Sequence, residues 1–152
     1  MRFLVQRVKR AKVLVEKELV AGIGQGLLVL VGLSNDDEKL TDADLKKIVQ
    51  KVLYLRIFAD KEGKLNFNVM DVSGEVLLVS QFTLYADCRK GRRPNFGQTM
   101  PGKKAKMYFQ QVAKIFRDCY PKVKTGRFGE DMEVELVNWG PVTIMLDSSE
   151  IL

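Results

Sequence analysis

Near the middle of the chain, Ser80-Gln81-Phe82-Thr83 places two hydroxyls and a carboxamide at the end of an apolar run. In an extended strand alternate residues share a face, so Gln81 and Thr83 point one way and Ser80 and Phe82 the other. Such an edge can wall a pocket where hydroxyls, amide and backbone N–H groups meet a ligand carbonyl. It also has a plainer reading, a strand turning polar as it leaves the core. A hydroxyl nucleophile needs an activating base, and the chain contains no histidine. That excludes a Ser-His-Asp or Cys-His unit within one chain and removes the commonest transition-metal ligand. The chemistry left is that of backbone dipoles, hydroxyls, carboxylates, lysines and groups on the substrate.

Three further stretches could take part. Arg89-Lys90-Gly91-Arg92-Arg93, followed by Lys103, Lys104 and Lys106, concentrates positive charge near a single acid, Asp87. Arginine makes bidentate contacts to phosphate, so a polyphosphate partner is favoured over a merely solvated loop. Arg127-Phe128 within "TGRFGEDM" pairs a cation with a ring on which a nucleobase could stack, although a lone aromatic beside a turn also serves as a satellite of the core. Gly140-Pro141 interrupts the strand-like run "VNWGPVTIML". Proline cannot donate to a sheet ladder and glycine weakens a strand, so the pair marks an edge, a bulge or a cis peptide.

The elements that must position these residues follow from periodicity. Residues 2–8 and 12–16 read as strands around a "KRA" turn, "GIGQG" at 22–26 as a hairpin turn, and 27–33 as a buried strand. Thr41 and Asp44 form a capping box for a helix whose Leu45, Ile48, Val49 and Val52 share one face. A short strand is expected at 55–60, loop with extended pieces at 65–74, and a long strand at 75–87. A loop follows at 88–104. A second helix is expected from about 103 to 119, with Tyr108, Val112, Ile115, Phe116 and Cys119 inward. Strands at 133–138 and 142–147 close the chain.

The 152 residues, 46% hydrophobic, suit a single domain spanning 1–152 with a real core. No apolar run reaches the roughly 18 residues of a membrane span. The start lacks a signal-peptide h-region, and Cys88 and Cys119 read as free thiols, so a cytoplasmic protein is expected. The net charge of +6 and pI of 9.3 favour a polyanionic partner.

Taken together, "SQFTLYAD" and "NWGPVT" resemble the SQxT and NxGPxT motifs of the D-aminoacyl-tRNA deacylases (the D-tyrosyl-tRNA deacylase family). "VQRV", "GLLVLVGL", "RIF.D..GK.N.NV", "G.RP.F" and "TGRF...M.V.LVN.GPVT" match it in order, from Arg2 to Leu146. The resemblance implies an α/β fold: a compact three-layer domain with mixed, barrel-like sheets and two main helices, working as a homodimer with active sites at the subunit interface. It implies hydrolysis of the ester joining a D-amino acid, or glycine, to the tRNA acceptor end, with no cofactor and no metal. Gly140-Pro141 would be a cis dipeptide entering the other subunit's active site to exclude L-amino acids, and Arg7 would hold it across the interface. Gln81, Phe82 and Thr83 would supply an oxyanion site, with Ser80 in the pocket wall. Phe128 would lie near the terminal adenine and Met132 near the pocket wall. Arg89, Arg92 and Arg93 would face phosphates. Trp139 stands where smaller polar residues are more usual. Two other readings remain: a non-catalytic nucleic-acid-binding dimer on the same scaffold, and a structural dimer whose Gly-Pro is only a bulge.

Overall fold

The computed structural model describes all residues, Met1–Leu152. One long strand organises the molecule. β1 (Arg2–Val15) runs through the region where a turn was expected. Lys9 and Arg10 are exposed, and the pairing register slips between Gln6 and Val8 and between Val8 and Arg10. The basic pair therefore bulges outward without reversing the chain, because a bulge keeps polar residues in water while the strand continues. The reversal comes later, at Glu16 and Lys17, both at positive φ.

β2 (Glu18–Ile23) and β3 (Gly26–Gly32) both pair antiparallel with β1, along Ala11–Val15 and Arg2–Val8 respectively. The glycine-rich stretch between them continues along the same edge of β1, with Ile23 opposite Ala11 and Gly26 opposite Val8, and the expected hairpin is absent. β6 (Glu75–Ser80) lies parallel to β3, and β7 (Val123–Thr125) parallel to β6. β8 (Glu133–Asp147) joins the two strands expected at the C-terminal end into one and pairs with β1 along most of its length. The expected strand at 55–60 shrinks to β4 (Phe58–Ala59), which pairs with β5 (Leu65–Phe67) in a separate two-stranded sheet.

The main sheet curls into a mixed, barrel-like wall, and the slips in register between β1 and β8 decide how. Phe3 and Val5 face one core, but beyond the slips Ala11 and Val13 face a second. In the first core the sheet packs on α1 (Asp42–Leu53) and α2 (Gly102–Cys119). Burying each of Phe3, Ile48 and Phe116 completely contributes roughly 1.5–3 kcal/mol. In the second, Val8, Val13, Ile23, Leu28, Leu77 and Val79 fill the inside of the curl, closed by Val134 and Leu136 of β8. Helices, near wall and far wall make the three layers. A short α3 (Ser148–Ile151) ends the chain.

The helices follow their sequence signals closely. Thr41 and Asp44 cap α1 reciprocally, and Leu45, Ile48, Val49 and Val52 are its buried face. α2 buries Ala105, Phe109, Val112, Ala113 and Phe116, while Tyr108, Ile115 and Cys119 pack only partly against the core. Its inner face is rotated from the expected one, with Ala105, Phe109 and Ala113 turned inward.

Candidate active site

β6 ends at Ser80, earlier than periodicity suggested, and Phe82–Tyr85 form a 3-10 turn. The strand alternation proposed for Ser80–Thr83 therefore does not apply. Gly32 permits the turn: a Cβ there would stand 2.9 Å from the Cβ of Leu84 and 3.1 Å from the Gln81 carbonyl. The turn leaves two backbone donors free. The Gln81 N–H donates to the Val31 carbonyl (2.7 Å), whereas the N–H groups of Phe82 and Thr83 have no backbone acceptor. Of the three donors expected to stabilise an oxyanion, Gln81 is taken up by the sheet and Phe82 and Thr83 remain. The Gln81 side chain donates from Nε2 to Thr83 Oγ1. An amide is no base, so nothing in this contact activates Thr83 as a nucleophile. Tyr85, the other hydroxyl of the turn, is buried and its pKa is pushed up to about 12, chiefly by desolvation. It stays protonated.

This turn opens onto a cavity of about 570 Å³ lined by Ser80, Gln81, Phe82, Phe128 and Met132 among others. Five expected site residues from two separate stretches of the chain, 80–82 and 128–132, thus meet in one place; Thr83 is exposed and outside the lining. Phe128 leans on Phe109 of α2, ring centroids 5.8 Å apart. Met132 packs over Gly126, where an added Cβ would meet its sulfur at 2.9 Å. Sequence reasoning missed Thr99, Glu130 and Asp131, which also line the cavity, and the start of α2 at Gly102. That first turn carries no acidic residue and no side-chain cap. Its free N–H groups and the positive end of the helix dipole add to the positive potential there.

A second constellation forms around Gly140-Pro141, whose peptide bond is cis. On β1 the partners step from Gln6 (opposite Thr143) to Val8 (opposite Asn138), so residues 139–142 stand out from β8 facing only Arg7. The bulge has a closed neck. Asn138 Oδ1 accepts from the Val142 N–H (2.9 Å), and Asn138 Nδ2 donates to Thr143 Oγ1 (2.8 Å). The first and last letters of NxGPxT are therefore its clasp, a role the spacing hinted at and sequence reasoning did not assign.

Arg7 is the brace. It is only 7% exposed, yet has no carboxylate partner. Its Nε donates to the Trp139 carbonyl (2.8 Å) and its Nη1 to the Ile57 carbonyl (2.5 Å). The guanidinium also stacks over the Trp139 ring at 4.8 Å, and that ring meets Phe58 edge-on. Burial lowers the Arg7 pKa. These contacts lie within one chain: Arg7 braces the bulge of its own subunit. A Cβ on Gly140, which sits at φ +132°, would come within 2.7 Å of Arg7 Nη2.

The basic loop lies on the rim of the cavity, where Phe96 packs against Phe82 at 4.9 Å. Asp87 and Asn95 exchange backbone hydrogen bonds (2.8 and 2.9 Å) at its base. Arg89 grips both oxygens of Asp87 (2.8 and 2.7 Å), holding that carboxyl down to about 2. Arg89 is thus engaged internally, while Arg92 and Arg93 are exposed and make no ion pair.

Comparison with known proteins bears on this arrangement. The family profile described as D-Tyr-tRNA(Tyr) deacylase matches residues 4–147. A D-aminoacyl-tRNA deacylase of Thermotoga petrophila is 50% identical over 151 residues, covering 99% of both chains. One from Clostridium kluyveri is likewise 50% identical over 151 residues, with the same 99% coverage of both. Among solved structures, one described as a c-Myc DNA unwinding element binding protein superposes with a TM-score of 0.88 at 41% identity, covering 97% of this chain and 98% of its own. A probable eukaryotic D-amino acid tRNA deacylase gives 0.83 at 20% identity, covering 95% and 97%, a likeness of fold.

Proposed function

The chain belongs to the D-Tyr-tRNA(Tyr) deacylase family, hydrolases of the ester between a D-amino acid and tRNA, and on that premise we propose how its two constellations cooperate. The protein is a homodimer of single-domain subunits. The Gly140-Pro141 bulge of one subunit enters the cavity of its partner, and the site is complete only at the interface. The observation that carries this reading is a separation: within one chain neither Gly140 nor Pro141 lines the cavity beside Phe82. Both are exposed, and Phe82 and Met145 present large apolar side chains 57% and 50% exposed, surface that a second subunit would cover.

A pocket separates mirror images only when the wrong substituent meets something that neither moves nor accepts hydration. The clasped, braced bulge meets that requirement with main chain alone. An L-residue directs its side chain into it; a D-residue directs it away. Glycine has no substituent and passes, so glycyl-tRNA is hydrolysed too. Because handedness is read at Cα, the identity of the D side chain matters little.

The N–H groups of Phe82 and Thr83 stabilise the oxyanion, worth roughly 3 kcal/mol per donor in such sites. An aminoacyl ester is already reactive, and its ribose 2′-OH helps to position water. Thr83 holds substrate and does not attack. Phe128 receives the terminal adenine, Met132 and Ser80 shape the wall, and Arg92 and Arg93 meet tRNA phosphates. The reaction runs where charged tRNA is found, in the cytoplasm; no helix of the chain is long and apolar enough to cross a membrane.

The deciding experiment incubates the protein with D-Tyr-tRNA and L-Tyr-tRNA and follows release of amino acid. Release from the D-substrate alone is expected; equal release from both would refute the gauge. Thr83→Ala should retain substantial hydrolysis, and complete loss with intact tRNA binding would mean covalent catalysis instead. A second reading, a nucleic-acid-binding dimer without catalysis, draws on the 41% identical structure described as binding a DNA element. It predicts tRNA or DNA binding with no release of either amino acid.

A further inference from the structure

We infer that a groove beside the cavity carries the sugar-phosphate backbone leading to the substrate's terminal adenosine. The inference rests on the reading that this adenosine enters the cavity. The groove, about 410 Å³, runs between α2 and the turn after β7, and shares Phe128 and Glu130 with the cavity wall. Three exposed cations line it: Lys106, Arg117 and Arg127.

These three carry charge that no acid of the chain neutralises. Elsewhere on α2, Lys104 pairs with Glu38 (2.5 Å) and Lys114 with Asp118 (2.6 Å). None of the three groove cations pairs with any carboxylate, although Glu130 lines the same groove. They remain available to an outside anion. Their spacing suits a polymer. Lys106 and Arg117 are separated by eleven residues, roughly 16 Å along a helix that rises 1.5 Å per residue. A strand carrying one phosphate per ~3.4 Å of helix axis would set about five phosphates against that length. A ligand whose last nucleoside lies against Phe128 continues directly over Arg127.

The test uses uncharged tRNA, which binds without chemistry, together with D-tyrosyl-adenosine, which has no phosphates. Arg117→Gln/Arg127→Gln should weaken tRNA binding about tenfold at moderate salt. It should reduce the slope of log K against log salt by about 0.7 for each cation lost. Hydrolysis of D-tyrosyl-adenosine should be unchanged. Glu130→Gln, which removes the one opposing charge, should tighten uncharged tRNA. Unchanged affinity and slope in the double variant would overturn the inference, as would an equal loss on D-tyrosyl-adenosine. If the wild-type protein fails to cleave D-tyrosyl-adenosine, the reading of the cavity fails, and the tRNA-binding result still decides the groove.

Discussion

Residues 138–143 and 87–97 are both built around glycine and proline, yet the fold treats them in opposite ways. The first is clasped at its neck by Asn138 and Thr143 and braced from below by a buried arginine. The second is joined at its base by one pair of backbone hydrogen bonds and one exposed ion pair, and displays its remaining charges to solvent. The contrast follows from what each meets. A gauge of handedness must not yield, because a shift of about 1 Å is enough to admit the wrong substituent or misplace the right one. Phosphate recognition by exposed arginines tolerates movement, because Coulomb attraction falls off gently with distance.

The comparison breaks most visibly at Gly140. Gly140→Ala drives a Cβ into Arg7 Nη2 and into the Val142 side chain at 2.9 Å, and forces a non-glycine residue to φ +132°. Hydrolysis of D-Tyr-tRNA should fall about a hundredfold, the cost expected of misplacement on this scale, with the ratio of D to L hydrolysis collapsing. A single-turnover assay on both substrates measures this. Arg7→Gln should come next. It orphans the Trp139 and Ile57 carbonyls, costing about 1–3 kcal/mol in urea unfolding. It should also narrow the D/L ratio and shift the fluorescence of Trp139, the only tryptophan.

The loop should answer differently. Arg92→Gln and Arg93→Gln should each weaken tRNA binding severalfold and lower its salt slope by about 0.7–0.9, leaving stability and the D/L ratio intact. Arg89→Gln should matter less, because Asp87 already holds that guanidinium. The smallest effect belongs to Asp87→Asn, which frees Arg89 and should tighten tRNA modestly. The Asp87 carboxyl is held below its ordinary value, so what the pair adds to stability is present above about pH 4 and is lost as pH falls through about 2. Unfolding profiles should therefore show this contribution level above about pH 5 and declining progressively from about pH 4 to about 2.

Much of this was legible in the chain. The capping box of α1 was readable because its two partners lie three residues apart. The motif residues around Ser80 and Gly140 were readable as spellings, and the cavity does gather Ser80, Gln81, Phe82, Phe128 and Met132. Strand ends were less legible. Periodicity carried β6 past Ser80 because the residues that follow are as apolar as a strand requires. What stops it is the close seat on Gly32, fifty positions earlier in the chain. The expected turn in β1 failed for a related reason: a basic pair reads alike whether the chain reverses or only bulges, and the partner β8 decides which.

By itself, then, the sequence determined what depends on neighbours along the chain: the helices, the absence of any imidazole, the clustering of arginines and the letters of the two motifs. Tertiary structure alone decided what depends on distant partners. It assigned the Gln81 N–H to Val31, so that only Phe82 and Thr83 keep free donors. It set Arg7 beneath Trp139 in the same chain, and it left Lys106, Arg117 and Arg127 without acids. A hydrogen bond or ion pair is made to whichever group folding brings within about 3–4 Å, and for these groups that neighbour is set by sheet register and helix packing.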